Sequence, residues 1–316
     1  MFMDYKILPC GLSSRKDSRI RQYISCLIDK YSLNLRDRII FTEYATGNYY
    51  YTAVMAKMAG AEEVYAYSPL SFSQPCLSQD GIIQTSIRDF IRAADIITNS
   101  GNVRPITRLD IDIMKPSAVI ALMMMKSQVR DGDVDLLYCD KRQIRFVETD
   151  EAGIGILDSI GFKIMKVCFE AGLSVWRDRF FLLSSRLIGF KTRKFFEKMG
   201  VHISISLVDD FYDAIILSDY SNDIDASLLK EWIQRLAKIN PLIRVIWISG
   251  ELDESWCLQK GIDIYPLMSK LVGGLRKTNV SGDYLSYKVT LELNVASLKA
   301  AEIALDNRGE ISNKNK

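Results

Sequence analysis

Residues 36–60 read RDRIIFTEYATGNYYYTAVMAKMAG. An apolar run, RIIF, ends at Glu43 and enters a turn that holds Gly47. An apolar helix then leads to a second apolar run, EVYAYS (63–68). Strand, glycine-containing turn and helix in that order predict a βαβ unit whose loop faces a ligand at the strand's carboxyl end. The turn lacks two of the three glycines of a GxGxxG fingerprint, and Tyr49, Tyr50 and Tyr51 stand directly behind Gly47. Three readings are open: a cofactor loop, a loop for another ligand, and a structural turn.

Beyond this stretch, the alternation continues. Strands are expected at 38–43, 63–68, 94–99, 117–123 and 144–148, with helices near 50–59, 83–93, 107–114 and 133–142. These strands are apolar along their whole length, as in parallel sheets covered on both faces. The same order restarts with strands at 179–185, 201–207, 213–218, 243–249 and 262–265, and helices at 189–199, 225–239 and 253–260. Long apolar helices are expected at 154–171 and 284–305, and an amphipathic one at 14–34.

The halves read as an internal repeat. LRDRIIFT (35–42) sits against WRDRFFLL (176–183), and ADIITNS (94–100) against DAIILSD (213–219). SAVIALM (117–123) sits against IRVIWIS (243–249), and CDKRQIRFV (139–147) against CLQKGIDIY (257–265). The fold class is therefore α/β, with two similar Rossmann-like parallel-sheet domains joined by long crossing helices. The expected division is an N-terminal segment 1–35, a first domain 36–153, a connecting helix 154–175, a second domain 176–283, and a crossing helix with polar tail 284–316. The polar stretch 69–82 is longer in the first half and reads as a lid or a surface insertion.

Composition narrows the function. Of 316 residues, 48% are hydrophobic and 25% charged, a globular profile, and 41 basic against 39 acidic residues leave a net charge of +2. That balance gives no argument for nucleic acid or an anionic membrane as partner. The apolar run 118–125 is too short to span a bilayer, and the first residues lack the apolar core of a signal peptide. Six scattered cysteines without a CxxC pair read as reduced thiols of a cytoplasmic protein. With one histidine, His202, the chain lacks the usual His and Cys spacings of a zinc site, so no metal is expected.

The chemistry-bearing positions lie at the strand ends. Thr46, Gly47, Asn48 and Tyr49 form the loop where backbone N–H groups would meet an anion. Ser68 ends the second strand, where dinucleotide binders usually place an acid for the ribose. Asn99 ends the third expected strand. Arg104, after the turn NSGN, is the anchor for a substrate carboxylate, and Glu43 and Glu148 are acid/base candidates if burial raises them. The second half offers Arg186, Asp209, Asp219 and Glu251. His202, inside an expected strand, reads as a packed residue, Met123–Met125 as core, and KTRK (191–194) as a solvated helix face.

Residues 213–266 resemble the substrate domain of D-2-hydroxyacid dehydrogenases, in the order of strand, helix, strand and short helix before a KGI-x-x strand. ADIITNSGNVRPITRLDIDIMKPSAVIALMMM (94–125) is similar to the later part of that family's cofactor domain. The resemblance implies NAD or NADP as cofactor and a small anionic substrate in an interdomain cleft, with a homodimer left open. The chain departs from the family at its GxGxxG, at the arginine after the MKP strand, at the catalytic histidine, and in its domain order. TEYATGNYY also resembles the first motif of class I methyltransferases, which implies S-adenosylmethionine. A non-catalytic relative binding a metabolite or partner is the third reading.

Overall fold

A computed structural model describes residues 14–44, 47–69, 75–126, 129, 132–219, 224–267 and 286–314. The chain runs α1 (Ser14–Tyr31), β1 (Ile39–Glu43), a 3-10 turn (Gly47–Tyr50) continuing into α2 (Tyr51–Met58), β2 (Glu63–Tyr67), α3 (Pro75–Gln79) and β3 (Ile83–Thr85). It continues through a 3-10 turn (Arg88–Ala93), β4 (Ile96–Thr98), a 3-10 turn (Gly101–Val103), α4 (Arg108–Ile113), β5 (Val119–Ala121), α5 (Leu136–Arg142) and β6 (Arg145–Val147). Then come α6 (Ser159–Glu170), β7 (Arg179–Ser184), α7 (Arg186–Lys198), β8 (His202–Ser204), β9 (Ala214–Ser218) and α8 (Ala226–Ile239). Last are β10 (Arg244–Ser249), α9 (Glu254–Gln259), β11 (Asp263–Tyr265) and α10 (Tyr287–Lys314).

Two compact units result. One comprises Asp4–Ile154 with Ser286–Lys316, the other Gly155–Leu285. The first holds a six-stranded parallel sheet in the order β3-β2-β1-β4-β5-β6, the dinucleotide-binding order 3-2-1-4-5-6. The second holds a five-stranded parallel sheet in the order β11-β10-β9-β7-β8, which is the flavodoxin-like order 2-1-3-4-5. The continuous apolar strands bury both faces of each sheet, as their composition demands. In the first unit, Ile40, Val64, Ile96 and Val119 face α1, α2 and α10, while Phe41, Tyr65, Ile97 and Ile120 face the side of α4 and α5.

The expected crossing helices each belong to one unit. Helix α6 packs with α7 and β10 in the second. Helix α10 packs with α1, α2 and β5 in the first, burying Leu291, Val295, Leu298 and Ala301. Each such Leu or Val contributes about 2 kcal/mol of burial. Polar bonds fix the α10 register: Tyr23 donates to Glu292 at 2.5 Å, and the Asn34 amide to Glu302 at 3.0 Å.

Three local expectations change. Residues 83–93 are the edge strand β3 and a 3-10 turn rather than one helix. The described part of 69–82 holds α3, the crossover that feeds β3, so this stretch is the extra sheet element of the first unit. His202 begins the edge strand β8 and is exposed rather than packed.

Candidate functional site

The two units share hydrogen bonds that set a residue-by-residue equivalence. The Ile39 amide donates to Asp95 Oδ2 and the Arg179 amide to Asp213 Oδ2, both at 2.8 Å. Asp95 and Asp213 are therefore the same position, which makes Ile40 equivalent to Phe180 and Ile96 to Ala214, in agreement with the strand registers. The string matches of these strands are thus one residue out of register, and one residue reverses the face of every side chain. In the true register the strand ends differ sharply. Thr42, Glu43, Thr98 and Asn99 of the first unit replace Leu182, Leu183, Ile216 and Leu217 of the second. All eight are buried.

These polar residues gather where β1 and β4 diverge, the switch point of a 3-2-1-4-5-6 sheet. On the α2 side, Thr98 Oγ1 donates to Thr42 Oγ1 at 2.8 Å and lies 2.9 Å from Ser100 Oγ. Close by, Asn294 of α10 donates to Thr52 Oγ1 in the first turn of α2 at 2.7 Å. Asn294 Oδ1 is buried and has no partner among the described residues. Thr290 and Ser297 extend this polar stripe on α10, and Ser297 donates to the Leu122 carbonyl. On the α4 side, the Asn99 Oδ1 accepts the Met123 amide at 2.7 Å, while its buried Nδ2 has no partner among the described residues.

Glu43 is fully buried and lies on the turn after β4. It accepts the Asn102 amide at 3.1 Å, and a Cβ at Gly101 would fall 2.1 Å from its Oε2. Gly101 sits at φ +41°, so only glycine fits both the backbone and the carboxylate. Arg88 holds the same turn from outside. Its guanidinium donates to the Val103 and Pro105 carbonyls at 2.6 Å and pairs with Asp110 at 2.5 Å. Burial pushes the Asp110 carboxyl up, but Arg88 and the Thr107 amide and hydroxyl outweigh it and hold it below the usual range.

The other expected residues fall as follows. Thr46 lies outside the described residues. Gly47, Asn48 and Tyr49 form the 3-10 turn that opens α2, with Asn48 and Tyr49 half-buried. Tyr44, Tyr50 and Tyr51 point into the core, and Tyr50 meets Tyr51 edge-on at 4.7 Å. Ser68 is fully buried and bonds the Tyr44 phenol, whose ionisation burial pushes up while Ser68 pulls the other way. Arg104 pairs with Asp133 at 3.4 Å. Glu148 is exposed at the end of β6, where it accepts the Lys126 amide. It stands three strand spacings from Glu43, about 14 Å, so the two carboxylates do not share a site. Directly after Arg104, Pro105, Ile106, Leu109, Val134 and Leu137 line a cavity of about 650 Å³.

The structure adds Thr42, Thr98, Ser100, Thr52 and Asn294 to the expected residues. Their signal is present in the sequence: hydroxyls closing two apolar strands, and T-x3-N-x2-S inside an apolar helix. Among the described residues, no group of three or more His, Cys, Asp or Glu could hold a metal ion. No described helix is long and apolar enough to cross a membrane. Cys139, Cys168 and Cys257 are buried free thiols that burial pushes up to about 12.

No family model matches the chain, and no curated protein matches it by sequence. Solved structures do match. A dipicolinate synthase from Bacillus halodurans is 13% identical, with 83% of this chain and 96% of that one covered at a TM-score of 0.55. The pyruvate reductase of Chlamydomonas reinhardtii is 12% identical, with 86% and 98% covered at 0.50. A D-lactate dehydrogenase with NAD+ from Lactobacillus jensenii is 12% identical, with 85% and 97% covered at 0.48. The chain therefore has the two-domain fold that the resemblance to D-2-hydroxyacid dehydrogenases implied.

Proposed function

We propose that the first unit binds a nicotinamide dinucleotide, NAD or NADP, at the carboxyl ends of β1 and β4, and that the protein is an oxidoreductase of small anionic metabolites. One observation carries this reading. Buried polar side chains converge at the switch point of a 3-2-1-4-5-6 sheet, where the second unit has leucine and isoleucine.

The residues fit such a ligand. The turn Gly47–Tyr50 offers the leading backbone amides of α2 to a pyrophosphate, and Tyr50 and Tyr51 turn inward. The partnerless Asn99 amide and Asn294 carbonyl are a donor and an acceptor still to be matched. The apolar cavity after Arg104 suits a planar ring. The dinucleotide, when bound, supplies hydride transfer. Glu43 is proposed to shape the 101–103 turn, and Arg104 to exchange its Asp133 contact for a substrate carboxylate. Ser68, engaged with Tyr44, adds no acid against a 2′-phosphate.

Calorimetry and thermal shift with NAD, NADP, S-adenosylmethionine and S-adenosylhomocysteine test this. A dinucleotide at one hundred times its Kd adds about 2.7 kcal/mol to stability. No response to NAD or NADP at millimolar concentration ends the proposal, and a response to S-adenosylmethionine alone replaces it with the methyltransferase reading. For Arg104→Ala, substrate carboxylate binding is expected to weaken with dinucleotide affinity unchanged.

A further inference from the structure

Among the described residues of the second unit, one buried side-chain oxygen has no hydrogen-bond partner: Ser218 Oγ, fully buried at the end of β9. An unbonded buried hydroxyl forfeits about 1–3 kcal/mol of solvation, so its presence needs a physical reason. Its equivalent in the first unit, Ser100, bonds Thr98 Oγ1. In the second unit that neighbour is Ile216, which leaves the hydroxyl without a mate.

The surroundings supply a reason. Ala214 and Ile216 face α6 and α7, and strand alternation turns Ser218 to the same side. Ser184 lies beside it in register and donates its own hydroxyl to the Ser218 carbonyl at 2.9 Å. Two residues beyond Ser184, α7 begins at Arg186. Its cap residue Ser185 makes no side-chain capping bond, so the leading amides of a thirteen-residue helix receive no side-chain acceptor there. Arg186, in the first turn, is exposed. In a 2-1-3-4-5 sheet the switch point falls between the first and third strands, here β7 and β9.

The acids nearby do not compete. Asp219 accepts the Ile224 amide at 2.9 Å on the side of α8. Asp158 is paired with Lys191. Helices α8 and α9 are capped by Asp225 and Asp253, carboxylates that would repel an anion at those ends.

We infer that the second unit binds an oxyanion, the carboxylate or phosphate group of a small metabolite, between β7 and β9. Ser218 Oγ and the first amides of α7 donate to it, and the Arg186 guanidinium pairs with it. This site is independent of the dinucleotide site, because it uses no residue of the first unit.

The test is calorimetric titration of the full chain with inorganic phosphate and, separately, with malonate. One anion per chain is expected from at least one probe, and the probe that binds identifies the group. Arg186→Gln is expected to weaken binding about tenfold, the loss of one charge-assisted bond. Ser218→Ala is expected to weaken it severalfold while leaving Tm equal or higher, since it removes a hydroxyl that the fold does not satisfy. Gly47→Ala is expected to keep the wild-type affinity for the anion. Binding of neither probe overturns the inference. So does wild-type affinity in either second-unit variant, or a loss confined to Gly47→Ala, which would place the anion on the first unit.

Discussion

At the scale of single residues, Gly101 and Glu43 are mutually exclusive with any other choice at position 101. A methyl group there meets the buried carboxylate at 2.1 Å and adds strain at φ +41°. Gly101→Ala is expected to cost about 2 kcal/mol and to weaken dinucleotide binding, read from Tm and calorimetry. Arg88→Ala leaves Asp110 buried without its cation and frees two carbonyls, for an expected loss of about 3 kcal/mol. Asp110 also gives the fold a pH dependence. Its carboxyl is held below the unfolded value, so its stabilisation is present above the unfolded pKa and lost as pH falls through the folded one. Tm followed downward from about pH 5 should fall less steeply in Asp110→Asn than in the wild type. An equal slope in both would remove Asp110 from the acid response.

At the scale of elements, the polar ends of β1 and β4 separate folding from binding. Thr42→Val with Thr98→Val replaces both hydroxyls of one bond by apolar groups of similar shape, as the second unit does with Leu182 and Ile216. Stability is expected to change by less than about 1 kcal/mol. Dinucleotide affinity is expected to drop about tenfold or more; unchanged affinity would make the cluster a folding device only. The elements themselves were largely legible, because strand apolarity and helix periodicity are local. The helix ends were legible too. Ile144 and Ile262 each donate back to Cys139 and Cys257 at 2.9 Å, so the matched Cys-x4-Ile spacing is one helix-terminating turn used twice. What stayed hidden depends on partners distant in sequence. The three-residue β3 exists only because β2 pairs with it, and the inward turn of Tyr50 and Tyr51 depends on α1 and α10. Asn294 is 242 residues from Thr52. The strand register slipped because RDR repeats in both halves while the tying aspartates lie elsewhere.

At the scale of the molecule, the fold places a dinucleotide-type sheet in the first unit and a flavodoxin-type sheet in the second, each with its own switch point. The chain leaves the first unit after Ile154 and rejoins it at Ser286. Residues 155–285 are expected to fold as an isolated fragment. A chain ending at 285 is expected to lose the thermal transition of the first unit, because Leu291, Val295 and Leu298 complete its core. Two transitions in that shortened chain would show that α10 is dispensable. The same return has a consequence during synthesis. At about 5–20 residues per second, the ribosome makes the first sheet many seconds before the helix that covers it. The second unit is therefore complete first. The half that begins the polypeptide is the last to close, and its exposed α1, α2 and β5 surfaces are the ones a chaperone would meet on the nascent chain.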